Sequence, residues 1–372
     1  MPLSSREVGR LVLAGALSVA CGTLVLAQKP APKGEQKPDA AAVAQQQAQN
    51  QEVETVYRAA DGAMSAGQAA SGDIPVSVQT DFLKALNGRV WVPLTLTFDS
   101  SRTQGGPVTL YLRVTPRGMT APPAPPAPEP ANGKDAKKKA DKGKDAKTAP
   151  PPQGPTYPYE DVAFTELKLS PGQPLRIQRG IGVPPGSYDL YVVVHERAAG
   201  GKMGVLKQPL DVPNFATGEL MTSSIILAQH VNQLPAPIPP DQQSEHPYAF
   251  GQTEIIVTPE RKFKKTDELI VLFQIYNANI TAEKKFSLEA TYTFYRQEAG
   301  GEKRFNSTEP QPLNNDTMPP GFDPTSANSS IQAGQGIPLQ SFSEGTYRLE
   351  VKVSDKQINK ALTQSTTFTV TP

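Results

Sequence analysis

The chain has almost no cysteine. Cys21 is the only one in 372 residues, and it lies in an N-terminal apolar stretch. With that stretch removed, neither a disulfide framework nor a thiolate metal site can form. Such a protein must hold itself together by apolar burial, which segments of about 130 to 160 residues can supply. Net charge is nearly absent too. The 37 basic residues against 36 acidic ones leave a formal +1, so no overall field recruits nucleic acid or an anionic membrane.

Residues that carry chemistry are equally scarce. The three histidines, His195, His230 and His246, stand at no metal-ligand spacing and form no HExxH, so solvated or capping roles are expected for them. No GxSxG elbow, no Walker-type phosphate loop and no GxGxxG following a strand occurs. Carboxylates are plentiful, yet no pair is marked out as an acid/base couple. The loop from Asn314-Asn315-Asp316 to Asp323 offers oxygen donors for Ca²⁺ but fits no EF-hand spacing. The expectation is a protein that is not an enzyme, with no catalytic residue, no cofactor and no metal site.

What the chain does have is order along its length. Pro (38) and Gly (29) together make 67 of 372 residues, and they cluster in loops and tails. Residues 1–28, MPLSSREVGRLVLAGALSVACGTLVLAQ, place Arg6 and Arg10 before an apolar core from Leu11 to Leu26. Val25-Leu26-Ala27 then suits a signal peptidase cutting before Gln28. The core is short for a membrane span of about 20 residues. Two alternatives stay open: lipidation of Cys21 at the box-like Ser18-Val19-Ala20-Cys21, or an uncleaved anchor. All three imply export to the periplasm or beyond, with no membrane span after signal cleavage.

Residues 28–73 form an Ala/Gln/Pro-rich spacer. Val53, Val56, Tyr57, Ala60 and Met64 recur there at helical spacing, which predicts a short helix that frays in water. From Ile74 the pattern changes to period two. Val90, Val92, Leu94, Leu96 and Phe98 alternate with Trp91, Pro93, Thr95 and Thr97, behind an Asn87-Gly88 hairpin turn. Val108, Leu110, Leu112 and Val114 repeat the alternation. Residues 119–155 carry almost no large apolar group and predict a disordered insertion. Its Lys134–Lys147 run has seven Lys against three Asp; it is either simply solvated or a weak electrostatic contact with an anionic envelope surface. Strands are expected again at 162–169, 175–183, 187–195 and 205–212. A second set follows Phe215, at 220–228, 253–258, 269–276, 286–295, 347–354 and 366–371. Many short strands with turn signals and hardly a helical period predict an all-β chain of two tandem antiparallel sandwiches, residues 74–213 and 214–372.

The two halves end alike. Pro185-Gly186-Ser187-Tyr188 opens YDLYVVV, and Glu344-Gly345-Thr346-Tyr347 opens YRLEVKV; each is followed by a polar turn and a closing strand. A Gly-x-Tyr entering a penultimate strand resembles the tyrosine corner of immunoglobulin-like and fibronectin III-like sandwiches, which would give Tyr188 and Tyr347 a structural role. Leu190 and Leu349 stand where a disulfide-bonded member would carry Cys. The C-terminal half also resembles the sandwich portion of bacterial secreted GWxTD-domain proteins. The residues that carry this are Phe250-Gly251, Ile255 to Pro259, Arg261-Lys262-Phe263 and Asp267 to Asn277; the GWxTD signature itself is absent. That resemblance implies architecture and no reaction.

Parity along the strands turns Trp91, Tyr111 and Tyr191 away from the core, so they either share an aromatic binding surface on the outside of the first sandwich or are covered by the chain before Ile74 or after Phe215. The resulting expectation is an exported, non-catalytic binding or scaffolding protein of the bacterial envelope, meeting a protein or glycan through sandwich surfaces. The alternative is an accessory, non-catalytic subunit of a secreted protease or glycosidase system.

Overall fold

The computed structural model describes residues 40–67, 70–121, 156–169, 175–197, 200–326 and 329–372. The expected signal segment, Cys21, the Lys134–Lys147 run and most of the insertion at 119–155 lie outside the described residues. Among the described residues the chain is all-β with one long helix, α1 (Ala40–Ala66).

Nine strands build the first sandwich. They are β1 (Ala70–Gly72), β2 (Val76–Thr80), β3 (Leu83–Lys84), β4 (Val90–Phe98), β5 (Gly106–Pro116), β6 (Tyr159–Leu167), β7 (Leu175–Val183), β8 (Gly186–Glu196) and β9 (Met203–Val212). One sheet runs β1-β9-β8-β5-β6; the other centres on β4, flanked by β2 and β3 on one side and β7 on the other. Val90, Val92, Leu94, Leu96 and Phe98 of β4 face Val108, Leu110, Leu112 and Val114 of β5 in one buried core, as the period-two reading requires. Asn87 (φ 58°) and Gly88 (φ 70°) supply the two left-handed residues of the β3–β4 hairpin.

The second sandwich is built the same way. Its first six strands are β10 (Met221–Thr222), β11 (Ile226–Gln233), β12 (Ala249–Phe250), β13 (Thr253–Val257), β14 (Lys262–Lys264) and β15 (Glu268–Tyr276). The others are β16 (Ser287–Glu298), β17 (Gly301–Ser307), β18 (Gln311–Asn314), β19 (Ile331–Pro338), β20 (Gly345–Asp355) and β21 (Lys360–Thr371). One sheet runs β12-β13-β11-β15-β19, with β10 extending the β11 side; the other runs β14-β21-β20-β16, with β17 and β18 sharing the far side of β16. All pairings are antiparallel except β14 with β21. Leu269, Val271, Phe273 and Ile275 meet Leu288, Ala290, Tyr292 and Phe294 in the core.

The strands β1, β2, β3, β12, β14, β17, β18 and β19 are absent from the sequence reading, and two corrections bear on the packing. The stretch 220–228 is split, because the chain turns at Ser223-Ser224 to meet the first sandwich: Ser224 N–H donates to Phe82 O (3.0 Å) and Phe82 N–H to Ser224 Oγ (2.9 Å). β19 (IQAGQGIP) was not expected, since its two glycines and two glutamines hide the period. Those glycines are a packing device. A Cβ on Gly334 would lie 2.5 Å from Leu272 Cδ2, and one on Gly336 would lie 2.2 Å from a carboxylate oxygen of Glu268.

Both tyrosine corners are present as local geometry. Tyr347 is fully buried and its hydroxyl donates to Ser343 O at 2.8 Å, whereas Tyr188 reaches Pro185 O at only 3.4 Å. Tyr347→Phe should therefore destabilise the protein by about 0.5–1.5 kcal/mol, and Tyr188→Phe by less, because the longer bond is the weaker one. Urea unfolding of both variants measures this. An equal loss would show that bond length does not set the ranking.

The frayed spacer is the third correction. An isolated helix of this composition is marginal, and tertiary packing is what stabilises it. Val56, Ala60, Ala63 and Met64 are buried against Tyr111, Tyr191, Val193 and Val205 on the outer face of the β9-β8-β5 sheet. The first three turns behave as expected of a spacer, being exposed from residue 43 through residue 51.

Candidate functional site

The predicted aromatic surface is not a surface. Tyr111 and Tyr191 are fully buried and Trp91 is 8% exposed. The parity was right, since all three point away from the core of the first sandwich, but other parts of the chain cover them. Trp91 is also not brought to the tyrosines: it lies on the opposite sheet, against the second sandwich, while Tyr111 and Tyr191 lie beneath α1.

Under α1, β5 holds Arg113 with its side chain 3% exposed. Its guanidinium pairs with Asp61 from the helix and with Glu160 from β6, the latter at 3.3 Å, and it also donates to the Tyr111 hydroxyl. The rings of Tyr157, Tyr111 and Tyr57 lie 4.5, 5.2 and 5.8 Å from it, within cation–π range. Burial works against the Arg113 charge, but the Asp61 hydrogen bond and the charges around it outweigh burial and hold its pKa above the usual value. Burial also pushes the Tyr111 phenol up, and its bond to Glu160 adds to this. A second polar tie fixes the helix one end further along, where Glu52 meets His195 Nδ1 at 2.8 Å. No sequence motif marks this cluster, because its charges come from three separate elements. Only Asp61, between Ala60 and Met64 on the predicted helical face, carried a signal.

The second concentration of polar groups lies where the sandwiches meet. Trp91 and Leu83 pack on Ile226, Ile255, Ile270 and Leu272, the outer face of the β11-β15 sheet. The Trp91 indole N–H donates to Pro247 O at 2.9 Å, and Gly180 N–H donates to Ser244 O at 2.7 Å. The 235–250 segment thus clamps the outer edge of β7, helped by Arg179 with Glu245 (3.4 Å) and by the Arg176–Glu260 pair. Beneath the clamp, Tyr248 donates to Asp81 at 2.6 Å, and both are buried. Burial holds the Asp81 carboxyl above the ordinary carboxylate range; its hydrogen bond from Tyr248 pulls the other way and is outweighed.

That sign predicts a pH dependence. A carboxyl whose folded pKa is raised gives its full stabilisation below its unfolded pKa of about 3.9 and loses it as pH rises through the folded value. Asp81→Asn keeps an acceptor for Tyr248 without the charge. Its stability relative to the wild type should therefore increase from about pH 4 upward. Urea unfolding of both proteins across pH 4 to pH 8 decides it, and parallel curves would refute the assignment.

Beside the junction, Leu83, Ile226, Phe250, Ile255 and Leu272 line a shallow recess whose remaining walls include Ser223 and Gln274 and no ionisable side chain. The four buried carboxyls among the described residues are engaged elsewhere. Asp81 meets Tyr248; Asp189 meets Lys207 and Gly118 N–H; Glu196 meets Thr103; Asp355 caps Asn279 and Gln357 N–H. In the oxygen-rich loop, Asn314 accepts from Asp316 and Thr317 N–H, while Asp323 accepts from Thr325 and meets Lys284. His246 meets Glu254 at 2.8 Å.

No family model matches the chain, and no curated protein matches it. Among solved structures it is similar to a Bacteroides uniformis β-glucuronidase, at 9% identity and a TM-score of 0.20. It is also similar to a calcium-binding mutant of Bacteroides uniformis β-glucuronidase 2, at 9% identity and 0.21. Each match covers 79% of this chain, which spans only 32% of the length of either enzyme. The C-terminal domain of the Streptococcus agalactiae AgI/II polypeptide BspA matches over 80% of this chain and 100% of its own, at 9% identity and a TM-score of 0.18. Likenesses this low carry no argument about fold or function.

Proposed function

We propose that this chain is an exported, non-catalytic binding or scaffolding protein of the bacterial envelope, made of two immunoglobulin-like sandwiches with residues 74–213 in one and 214–372 in the other. The observation that supports a scaffold is where the perturbed and buried titratable groups sit. Asp81, Tyr111, Arg113 and Tyr248 bind chain to chain under α1 and at the junction, whereas catalytic sites gather such groups in a cleft. Two sandwiches clamped together offer sheet edges and loops in fixed relation to one another, which suits engagement of a protein or glycan. Export rests on residues 1–28, and kinship with GWxTD-protein sandwiches rests on the apolar spacing of 250–277 alone.

The test is affinity capture with the unmodified full-length chain from a bacterial envelope fraction, alongside turnover assays on peptide, ester and glycoside substrates. Saturable retention of a protein or glycan, with no turnover, is the expected result. Turnover that survives repurification would overturn the proposal.

A further inference from the structure

Most sheet edges in this molecule are short, charged, bulged or covered, as edges that must not pair with strangers usually are. β1, β12 and β14 have two or three residues, and β2 has five. β17 carries Lys303 and Arg304 and pairs with β16 across a register shift. β7 is nine residues long, but Ser244 O takes its Gly180 N–H and Arg89 donates to Gly182 O. β19 has its Gly334 carbonyl capped by the Gln311 side chain. β6 is different. Its nine residues pair with β5 in unbroken register from Tyr159 to Leu167, and no other strand pairs with it among the described residues.

The side chains of β6 say what would fit there. The strand has no Lys, Arg or Pro, and Glu160, Asp161 and Glu166 are exposed along it; Glu160 is already paired with Arg113 and Asp161 feels the Arg179 charge, which leaves Glu166 without a charged partner among the described residues. Phe164 is 40% exposed at its middle, and Leu169 just past its end is 51% exposed. An edge that is regular, apolar at its centre and acidic on both sides is a template for one more strand. A second copy of the same strand is a poor occupant, since antiparallel pairing centred on Ala163 sets Glu160 against Glu166 of the other copy, twice, and like charges directly opposite repel.

We propose that β6 is a docking edge for an extended, basic segment of a partner protein, which adds as a further strand beside Tyr159–Leu167 and sets Lys or Arg side chains against Asp161 and Glu166, Glu160 being held by Arg113. This deepens the binding reading above and rests on it, naming the edge and the partner's chemistry.

The probe is a fluorescent peptide of alternating Lys and Val, with a control of the same charge in which every Val is replaced by Pro. The Pro control cannot complete a ladder, so it separates strand addition from bare attraction. The full-length chain should bind the Lys-Val peptide, slow amide exchange should appear within 159–167, and the Pro control should bind about tenfold more weakly or not at all. Phe164→Lys with Glu166→Lys should weaken binding by about tenfold; because Arg197 lies over the Phe164 ring, Glu166→Lys alone, at an exposed side chain, is the variant expected to weaken binding without moving the melting temperature. Equal binding of the two peptides, or an unaltered affinity in the double variant, overturns the proposal. So does a dimer that the same variant dissolves, which assigns the edge to a second copy, or binding seen only once the lysines of 134–147 are changed to Gln, which assigns it to this chain's own segment. Envelope capture that persists in the Phe164→Lys/Glu166→Lys variant would refute the edge and leave the binding function standing.

Discussion

Trp91→Ala should cost about 3–5 kcal/mol, the range for truncating a large buried aromatic, and should part the unfolding of the two sandwiches into separate transitions. The ring fills the space between β7 and the clamp so closely that a Cβ on Gly180 would lie 2.0 Å from it, and its N–H is the bond to Pro247 O. Trp91→Phe keeps most of the apolar area and leaves that carbonyl without its partner, so it should cost about 1–3 kcal/mol. Gly180→Ala should be destabilising in the wild type and nearly neutral beside Trp91→Ala, because the clash is with the ring; that non-additivity is the signature of direct contact. Urea unfolding followed by circular dichroism measures all four variants. A loss below about 1 kcal/mol for Trp91→Ala, within reach of an ordinary surface change, would show that the junction does not hold the sandwiches together.

The second large effect is expected at the helix dock. Asp61→Ala with Glu160→Ala removes both counter-charges from Arg113 and leaves its buried guanidinium to uncharged partners, the Tyr111 hydroxyl and the neighbouring aromatic rings among them. Such a loss costs about 3–5 kcal/mol where a pair is fully buried. Here the two carboxylates are 38% and 32% exposed, which places the expectation at the lower end, about 3 kcal/mol. The readout is specific to α1: loss of helical signal in the far ultraviolet and new proteolytic cuts within 40–66, with the sandwiches still folded. Adding Arg113→Met should restore much of the stability and the helix, because an apolar side chain of similar length needs no partner. If the triple variant is no better than the double, the charge is not what holds the helix down.

Which parts of this arrangement were legible in the sequence follows from the range of the forces involved. β4 and β5 were readable because one face of each is buried and the other is not, so burial prints a period of two on neighbouring residues. Tyr188 and Tyr347 were readable because the corner is closed within four residues of chain. The destination of an outward side chain is a different matter. Trp91, Tyr111 and Tyr191 obey the same alternation whether water, a helix or a second sandwich covers them, and here the covers come from residues 56–64 and 226–272. The Arg113 cluster was hidden for the same reason: its ion pairs span 52 and 47 positions of chain. β19 failed on composition, since glycines that make room for Leu272 and Glu268 look like turns.

The parallel pairing of β14 with β21 bears on the order in which the molecule is made. β21 lies between β14 and β20, so the sheet that holds it cannot close until Lys360–Thr371 has been delivered. The first sandwich has its described strands by Val212, and from later in the chain its core draws Phe215, Tyr276 and the partly buried Met221. During synthesis the chain therefore goes through a stage in which one sandwich is folded while Trp91 and Leu83 wait in water for the face that will cover them. Domains that fold in the order of their synthesis are most prone to misassembly at such a stage. A helper that shields nascent chains would have its natural target on the outer face of β3 and β4.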